Sequence, residues 1–65
     1  MRYRVEVTTS RGTFKSEPED IAEQSYNELI GYIREAKVFT LKSSDGSDVI
    51  VYREAVDHIK VVILE

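Results

Sequence analysis

Apolar and polar residues alternate at the start of the chain, as is typical of a β-strand with one buried and one solvent-facing side. Tyr3, Val5 and Val7 alternate with arginine, glutamate and threonine. Gly12 follows in a turn and tolerates the positive φ that tight turns require. Because residues 13–16 then resume the alternation, the pattern predicts an N-terminal β-hairpin.

An apolar stripe at helical spacing occupies the middle of the chain. Its members recur at steps of three and four: Ala22, Tyr26, Leu29, Ile30, Ile33 and Ala36. Upstream, residues 16–19 read Ser-Glu-Pro-Glu, which combines capping-box spacing with a proline suited to the first helical turn. The pattern therefore predicts a helix from about Glu19 to Ala36.

Three more strands are predicted after the helix. Alternation resumes over residues 38–42, and residues 43–48 form a polar turn around Asp-Gly. Residues 49–53 form the return strand of this second hairpin. Residues 54–57 are expected to make one tight helical turn before a last strand over residues 58–64. The predicted order is β-β-α-β-β-β, with no repeat or linker to divide it.

The last strand is apolar on both sides, because its final four apolar residues are consecutive. Successive side chains of a strand point to opposite faces, so Val61 and Ile63 cover one face. Val62 and Leu64 cover the other. One helix hides only one face of a sheet, so the second face must be hidden by closing the sheet or by another subunit.

We therefore predict a single α+β domain over residues 1–65, an antiparallel sheet of four or five strands with the helix packed on one face. A homodimer joined through sheet faces or edges is the preferred arrangement, and a self-closed small barrel is the alternative. The predicted core contains Val5, Val7, Phe14, Leu29, Ile33, Phe39, Leu41, Val51, Ile59, Val61 and Ile63. The predicted interface is an apolar patch, formed if the last strand is central, that contains Ile50, Val62, Leu64 and Tyr52. Its predicted rim contains Tyr32, Tyr52, Arg53 and His58.

Composition removes most catalytic and metal-binding templates. The 65 residues include one histidine and no cysteine. There is no glycine-rich phosphate loop and no cluster at a metal-ligand spacing. The chain also lacks a bilayer-length apolar run and a signal-peptide pattern at its start. We expect a soluble cytoplasmic protein that is not an enzyme and holds no cofactor or metal.

Charge is unevenly distributed along the chain, although its net value is only -3. The first sixteen residues carry four basic side chains and one acidic side chain, whereas residues 17–28 carry five acids and no base. The acids suit the positive end of a helix dipole. The bases, Arg2, Arg4, Arg11 and Lys15, could instead form a nucleic-acid face together with an exposed tyrosine.

One local resemblance concerns residues 51–59. This run is similar to the strand, tight turn and strand of the second motif in bacterial Sm-like RNA-binding proteins. In that family a basic residue and a histidine after the tyrosine help to bind uridine-rich RNA. Arg53 matches the basic residue, but Glu54 stands at the histidine position, and the helix lies elsewhere in the order of elements. We interpret the similarity as shared turn geometry.

Three functions follow from these patterns as expectations. The first is a non-catalytic protein-protein interaction module, a small regulator or inhibitor acting as a homo-oligomer, with the short chain typical of accessory proteins of phages and mobile elements. The second is a small RNA or single-stranded DNA binder. The third is an oligomer that sequesters a small metabolite between its subunits. Salt dependence separates the first two, because phosphate contacts weaken steeply with salt.

Overall fold

The computed structural model describes all 65 residues and confirms the α+β class, with antiparallel sheets around one helix. The elements are β1 (Arg2–Thr9), β2 (Gly12–Lys15), β3 (Glu19–Asp20), α1 (Tyr26–Glu35), β4 (Val38–Lys42), β5 (Asp48–Tyr52) and β6 (His58–Ile63). Two short 3-10 turns, Glu23–Ser25 and Arg53–Ala55, precede α1 and β6. The strands form two separate sheets, so the closed barrel considered as an alternative does not form.

Strand β1 is the centre of the larger sheet. It pairs along one side with β6, and along the other side with β2 near its C-terminal end and β3 near its N-terminal end. Strands β4 and β5 pair only with each other. Strand β6 therefore lies at an edge, so the condition set for the predicted apolar patch, a central last strand, is not met.

The core lies where the inner faces of the two sheets meet one side of α1. Its six buried residues come from β1, α1 and the β4–β5 hairpin: Tyr3, Val5, Val7, Ile33, Phe39 and Val51. Directly opposed residues of an antiparallel pair share a face, so Ile59 and Val61 face the core opposite Val7 and Val5. Ile63, predicted as core, is 45% exposed because it ends an edge strand.

The predicted start of the helix is wrong. Regular helix begins at Tyr26, and Glu19 and Asp20 instead pair with β1 as the short strand β3. Ser16 is buried, and its Oγ accepts a hydrogen bond from the Val5 N–H at 2.8 Å. The Ser16 N–H in turn donates to the Val5 carbonyl at 2.8 Å. The serine thus completes a sheet edge, where the local sequence pattern indicated a helix cap.

The two predicted hairpin turns are present, and each uses a glycine with positive φ. Gly12 has φ 130° and Gly46 has φ 86°. In the second turn Asp45 accepts hydrogen bonds from the hydroxyls of Ser43 and Ser47 and from the Ser47 N–H. These donors, Ser43 first, hold the pKa of Asp45 well below its usual range. The turn fixes the register of the β4–β5 hairpin.

Candidate protein interface

The outer face of the β4–β5 hairpin carries three large apolar side chains in open solvent. Val38 lies directly opposite Tyr52, and Thr40 lies directly opposite Ile50. The exposed fractions are 47% for Val38, 58% for Ile50 and 55% for Tyr52. We call Val38, Ile50 and Tyr52 the hairpin patch. Because neighbouring strand positions alternate in direction, the inner positions Phe39 and Val51 are buried while the patch has no cover.

A groove of about 460 Å³ adjoins the hairpin patch and separates β5 from the tip of the β1–β2 hairpin. Ile50 and Tyr52 line both the patch and the groove. Most of the other lining residues are apolar, and Arg11 is the charged one: Val7, Thr9, Arg11, Gly12, Thr13, Phe14, Val49, Val51, Ala55 and Val56. The patch is therefore continuous with an apolar depression into which a partner side chain could insert.

Charged side chains flank the hairpin patch at both ends. At the turn end the Lys42 ammonium lies 2.7 Å from the Asp48 carboxylate, and this hydrogen-bonded pairing raises the pKa of Lys42. At the other end Lys37 and Glu54 line a shallow depression with Val38 and Tyr52. An apolar centre with a charged rim of both signs is the anatomy of protein interfaces.

Arg53 holds the hairpin to the end of α1. Its Nε donates to the Ala36 carbonyl at 3.1 Å, and its guanidinium carbon lies 5.9 Å from the centroid of the Phe39 ring. Its backbone N–H donates to the Lys37 carbonyl at 2.8 Å. Nη2 is buried without a hydrogen-bond partner. The partly buried arginine, predicted as a rim residue, thus anchors two elements beneath the patch.

The structure does not bring the predicted apolar interface together as one patch. Ile50 and Tyr52 belong to β5, whereas Val62 and Leu64 lie on β6 and just beyond its end, and no pairing joins those strands. Val62 pairs with Arg4 on the face of the larger sheet that points away from the core, and both are partly buried. The far face of this sheet is therefore mostly polar, and Val62 is the aliphatic residue that β6 contributes to it.

The two other predicted rim residues are exposed at separate places. Tyr32 projects from α1 and is 58% exposed, and His58 begins β6 opposite Thr8. Val38 was not among the predicted interface residues. The alternation of β4 could have identified it, because Val38 faces the opposite way from Phe39 and Leu41.

The predicted basic residues partly converge on the outer face of the larger sheet. Arg2, Arg4 and Lys15 share that face with Lys60, whereas Arg11 lies in the β1–β2 turn. Glu6 lies among them, and the Arg4 guanidinium reaches its carboxylate at 2.9 Å. That hydrogen bond is the main reason that the pKa of Glu6 is lowered.

This basic face carries no aromatic side chain from β1 or β2. Tyr3 and Phe14, the aromatic residues of those strands, point to the core side. The face therefore offers charge for phosphate groups, and the ring closest to that charge in the sheet is the His58 imidazole at the start of β6.

The comparisons with known proteins return no matching family model, no matching curated protein and no matching solved structure. No group of three or more histidine, cysteine or carboxylate side chains is placed to hold a metal ion. No helix has both the length and the apolar character needed to cross a bilayer. The surfaces described above are consequently the features on which a function can be argued.

Proposed function

We propose that the protein is a non-catalytic interaction module, a small regulator or inhibitor, that docks on another protein through the hairpin patch. The supporting observation is the juxtaposition of Val38, Ile50 and Tyr52 on directly opposed and adjacent positions of two paired strands, each about half exposed. Tyrosine is a frequent anchor of protein interfaces, because it buries a large ring with little loss of side-chain freedom and keeps a polar tip.

The surroundings of the patch favour a protein partner over a nucleic acid. The rim contains both signs of charge, as the Lys42–Asp48 pair illustrates, and such a rim gives no net attraction for phosphate. Arg2, Arg4 and Lys15 lie on a different sheet, and Arg4 is already paired with Glu6. An apolar partner side chain could fill the groove beside Ile50 and Tyr52, which resembles the pockets that receive interface anchors.

Affinity capture from the protein's own cell extract, with and without nuclease, tests this function. We expect a specific protein to be retained by the wild type and lost with Tyr52→Ala and with Ile50→Asp, because each substitution removes apolar contact at the centre of the patch. Tyr32→Ala is the matched control, since Tyr32 is equally exposed but lies on α1.

Binding of that protein should respond little to salt. Equal retention by the wild type and both patch variants would contradict the docking surface, and so would complete loss of the retained material after nuclease treatment.

Nucleic-acid binding is the second candidate, and the clustering of Arg2, Lys15 and Lys60 on one sheet face favours it. Lys15→Glu and Lys60→Glu should then abolish binding of a single-stranded oligonucleotide, with a steep loss of affinity as salt rises. The hairpin-patch variants should leave that binding intact, because the patch lies on the other sheet.

A further inference from the structure

Strand β6 leaves one of its two edges without a hydrogen-bonded neighbour. Each residue of an antiparallel strand directs its N–H and C=O to the same side, and successive residues alternate sides. The Leu64 N–H donates to the Arg2 carbonyl at 2.8 Å, and β6 pairs with β1 alone. The even-numbered residues therefore bond to β1. Ile59, Val61 and Ile63 direct their backbone groups outward, to the free edge.

The pattern along β1 supports the same assignment. Val5 directs its N–H and C=O to Ser16 on the opposite side of β1. The even-numbered residues of β1 are therefore the ones that face β6. The free edge of β6 thus carries three donors and three acceptors, and unpaired edges of this kind are templates for another strand.

The side chains at this edge are incompletely covered. Ile59 and Val61 are partly buried, and Ile63 is 45% exposed although it faces the core side. A groove of about 560 Å³ runs between β6 and α1, with Ile59 and Val61 on one wall. Tyr26 and Ile30 of α1 are on the other wall. A strand added beside β6 would cover apolar surface as well as satisfying backbone groups.

We propose that the occupant is β6 of a second copy, paired antiparallel around a twofold axis at Val61, so that the larger sheets of two molecules become one continuous sheet. Such an interface is self-complementary, as a twofold dimer requires. The core-facing residues of one copy must lie opposite the core-facing residues of the other, so the twofold axis has to pass through a residue and not between two residues. The two residues nearest the middle of β6 are Lys60 and Val61, and each defines one possible register.

Charge selects between the two registers. A register centred on Lys60 places two lysine ammonium groups directly opposite each other in a pair without hydrogen bonds, where side chains are closest and like charges destabilise. A register centred on Val61 places Lys60 opposite the partner's Val62 instead. It also places Ile59 opposite the partner's Ile63, which covers the most exposed apolar residue of β6.

Cysteine pairs test the register directly, because the chain contains no other thiol. In the Val61-centred dimer His58 lies opposite the partner's Leu64, so an oxidised mixture of His58→Cys and Leu64→Cys chains should form a disulfide-linked heterodimer. The matched control pairs His58→Cys with Val62→Cys, the combination that the Lys60-centred register would join. Preferential cross-linking of the control mixture would overturn the proposed register.

Sedimentation of the cysteine-free chain tests the dimer itself. Ile63→Pro removes an N–H that faces the free edge, a position where edge strands tolerate proline. We expect a folded variant whose dimer dissociation constant rises by roughly tenfold or more. Ile63→Ala keeps the N–H and should dissociate less. A monomeric wild type, or an Ile63→Pro variant that dimerises as tightly as the wild type, would overturn the proposal.

The dimer does not depend on the proposed docking function. The hairpin patch uses β4 and β5, whereas the dimer uses β6. Patch variants should therefore still cross-link through His58→Cys and Leu64→Cys, and loss of one property leaves the other measurable.

Discussion

The fold raises the pKa of the Tyr3 phenol, and this change can be measured through its effect on stability. It is buried in β1, and its hydroxyl donates to Glu19 Oε2 at 3.1 Å. Burial, followed by the hydrogen bond and the charge of Glu19, raises the pKa of Tyr3 to about 12 from a usual value of 10.0. The folded state thus retains the phenolic proton over a pH range in which the unfolded chain releases it.

The raised pKa predicts a loss of stability at alkaline pH. Because the folded state binds the proton more tightly, the contribution of Tyr3 is fully present below pH 10 and is lost as the pH rises towards 12. Urea unfolding at neutral pH and at steps across this range measures it. Tyr3→Phe should flatten the decline while losing about 1 kcal/mol at neutral pH through the missing hydrogen bond.

Tyr32→Phe serves as the control for Tyr3, because Tyr32 is exposed on α1 and makes no side-chain hydrogen bond. Its alkaline decline should match that of the wild type. An unaltered decline in Tyr3→Phe would show that other groups cause the alkaline loss of stability.

At the scale of elements, the segment from Ser16 to Asp20 shows which features a local sequence pattern predicts and which it does not. The strands β1, β4, β5 and β6 were predicted to within one or two residues, because alternation records which face is buried. The helix start was predicted wrongly, because Ser-Glu-Pro-Glu satisfies the local rules for a helix cap although this segment lies beside β1 in the sheet. Pairing of Ser16 with Val5, eleven residues away, decides the outcome, and no local pattern contains that contact.

Ser16→Ala should destabilise the fold by about 1 to 3 kcal/mol, because it leaves the Val5 N–H buried without an acceptor. Loss of a helix cap would cost a similar amount, so the free energy of unfolding alone does not separate the two roles. Amide hydrogen exchange does separate the two roles of Ser16. The substitution should accelerate exchange at Val5, whereas a lost cap would accelerate exchange in the first turn of the helix.

Ser44→Ala is a suitable control for the serine substitution. Ser44 is exposed in the β4–β5 turn and makes no side-chain hydrogen bond, so its replacement should change stability by less than about 0.5 kcal/mol. Unchanged exchange at the Val5 amide in Ser16→Ala would show that the hydrogen bond from the Val5 N–H to Ser16 does not stabilise this part of the sheet.

At the scale of the whole molecule, the core is small and much apolar surface stays outside it. Only seven of 65 residues are buried, so large apolar side chains remain exposed on both the hairpin and the β6 edge. Sequence alternation identified Ile50 and Tyr52 as facing away from the core. It could not show that Val62 and Leu64 belong to a different sheet, because strand order depends on non-local pairing. The residues predicted to form one apolar patch therefore lie on two separate sheets.

The two proposed surfaces lie on different strands. The concentration dependence of the thermal unfolding midpoint should therefore depend on the β6 edge and not on the hairpin patch. A dimer that forms only from folded chains makes stability concentration-dependent, so we expect the wild-type midpoint to rise with protein concentration. Ile63→Pro should shift that dependence to concentrations roughly tenfold higher or more, since it removes an N–H donor from the free edge of β6. Ile50→Asp should keep it, since Ile50 lies on β5. Scanning calorimetry over a wide concentration range measures all three, and a wild-type midpoint independent of concentration would contradict coupling between folding and dimerisation.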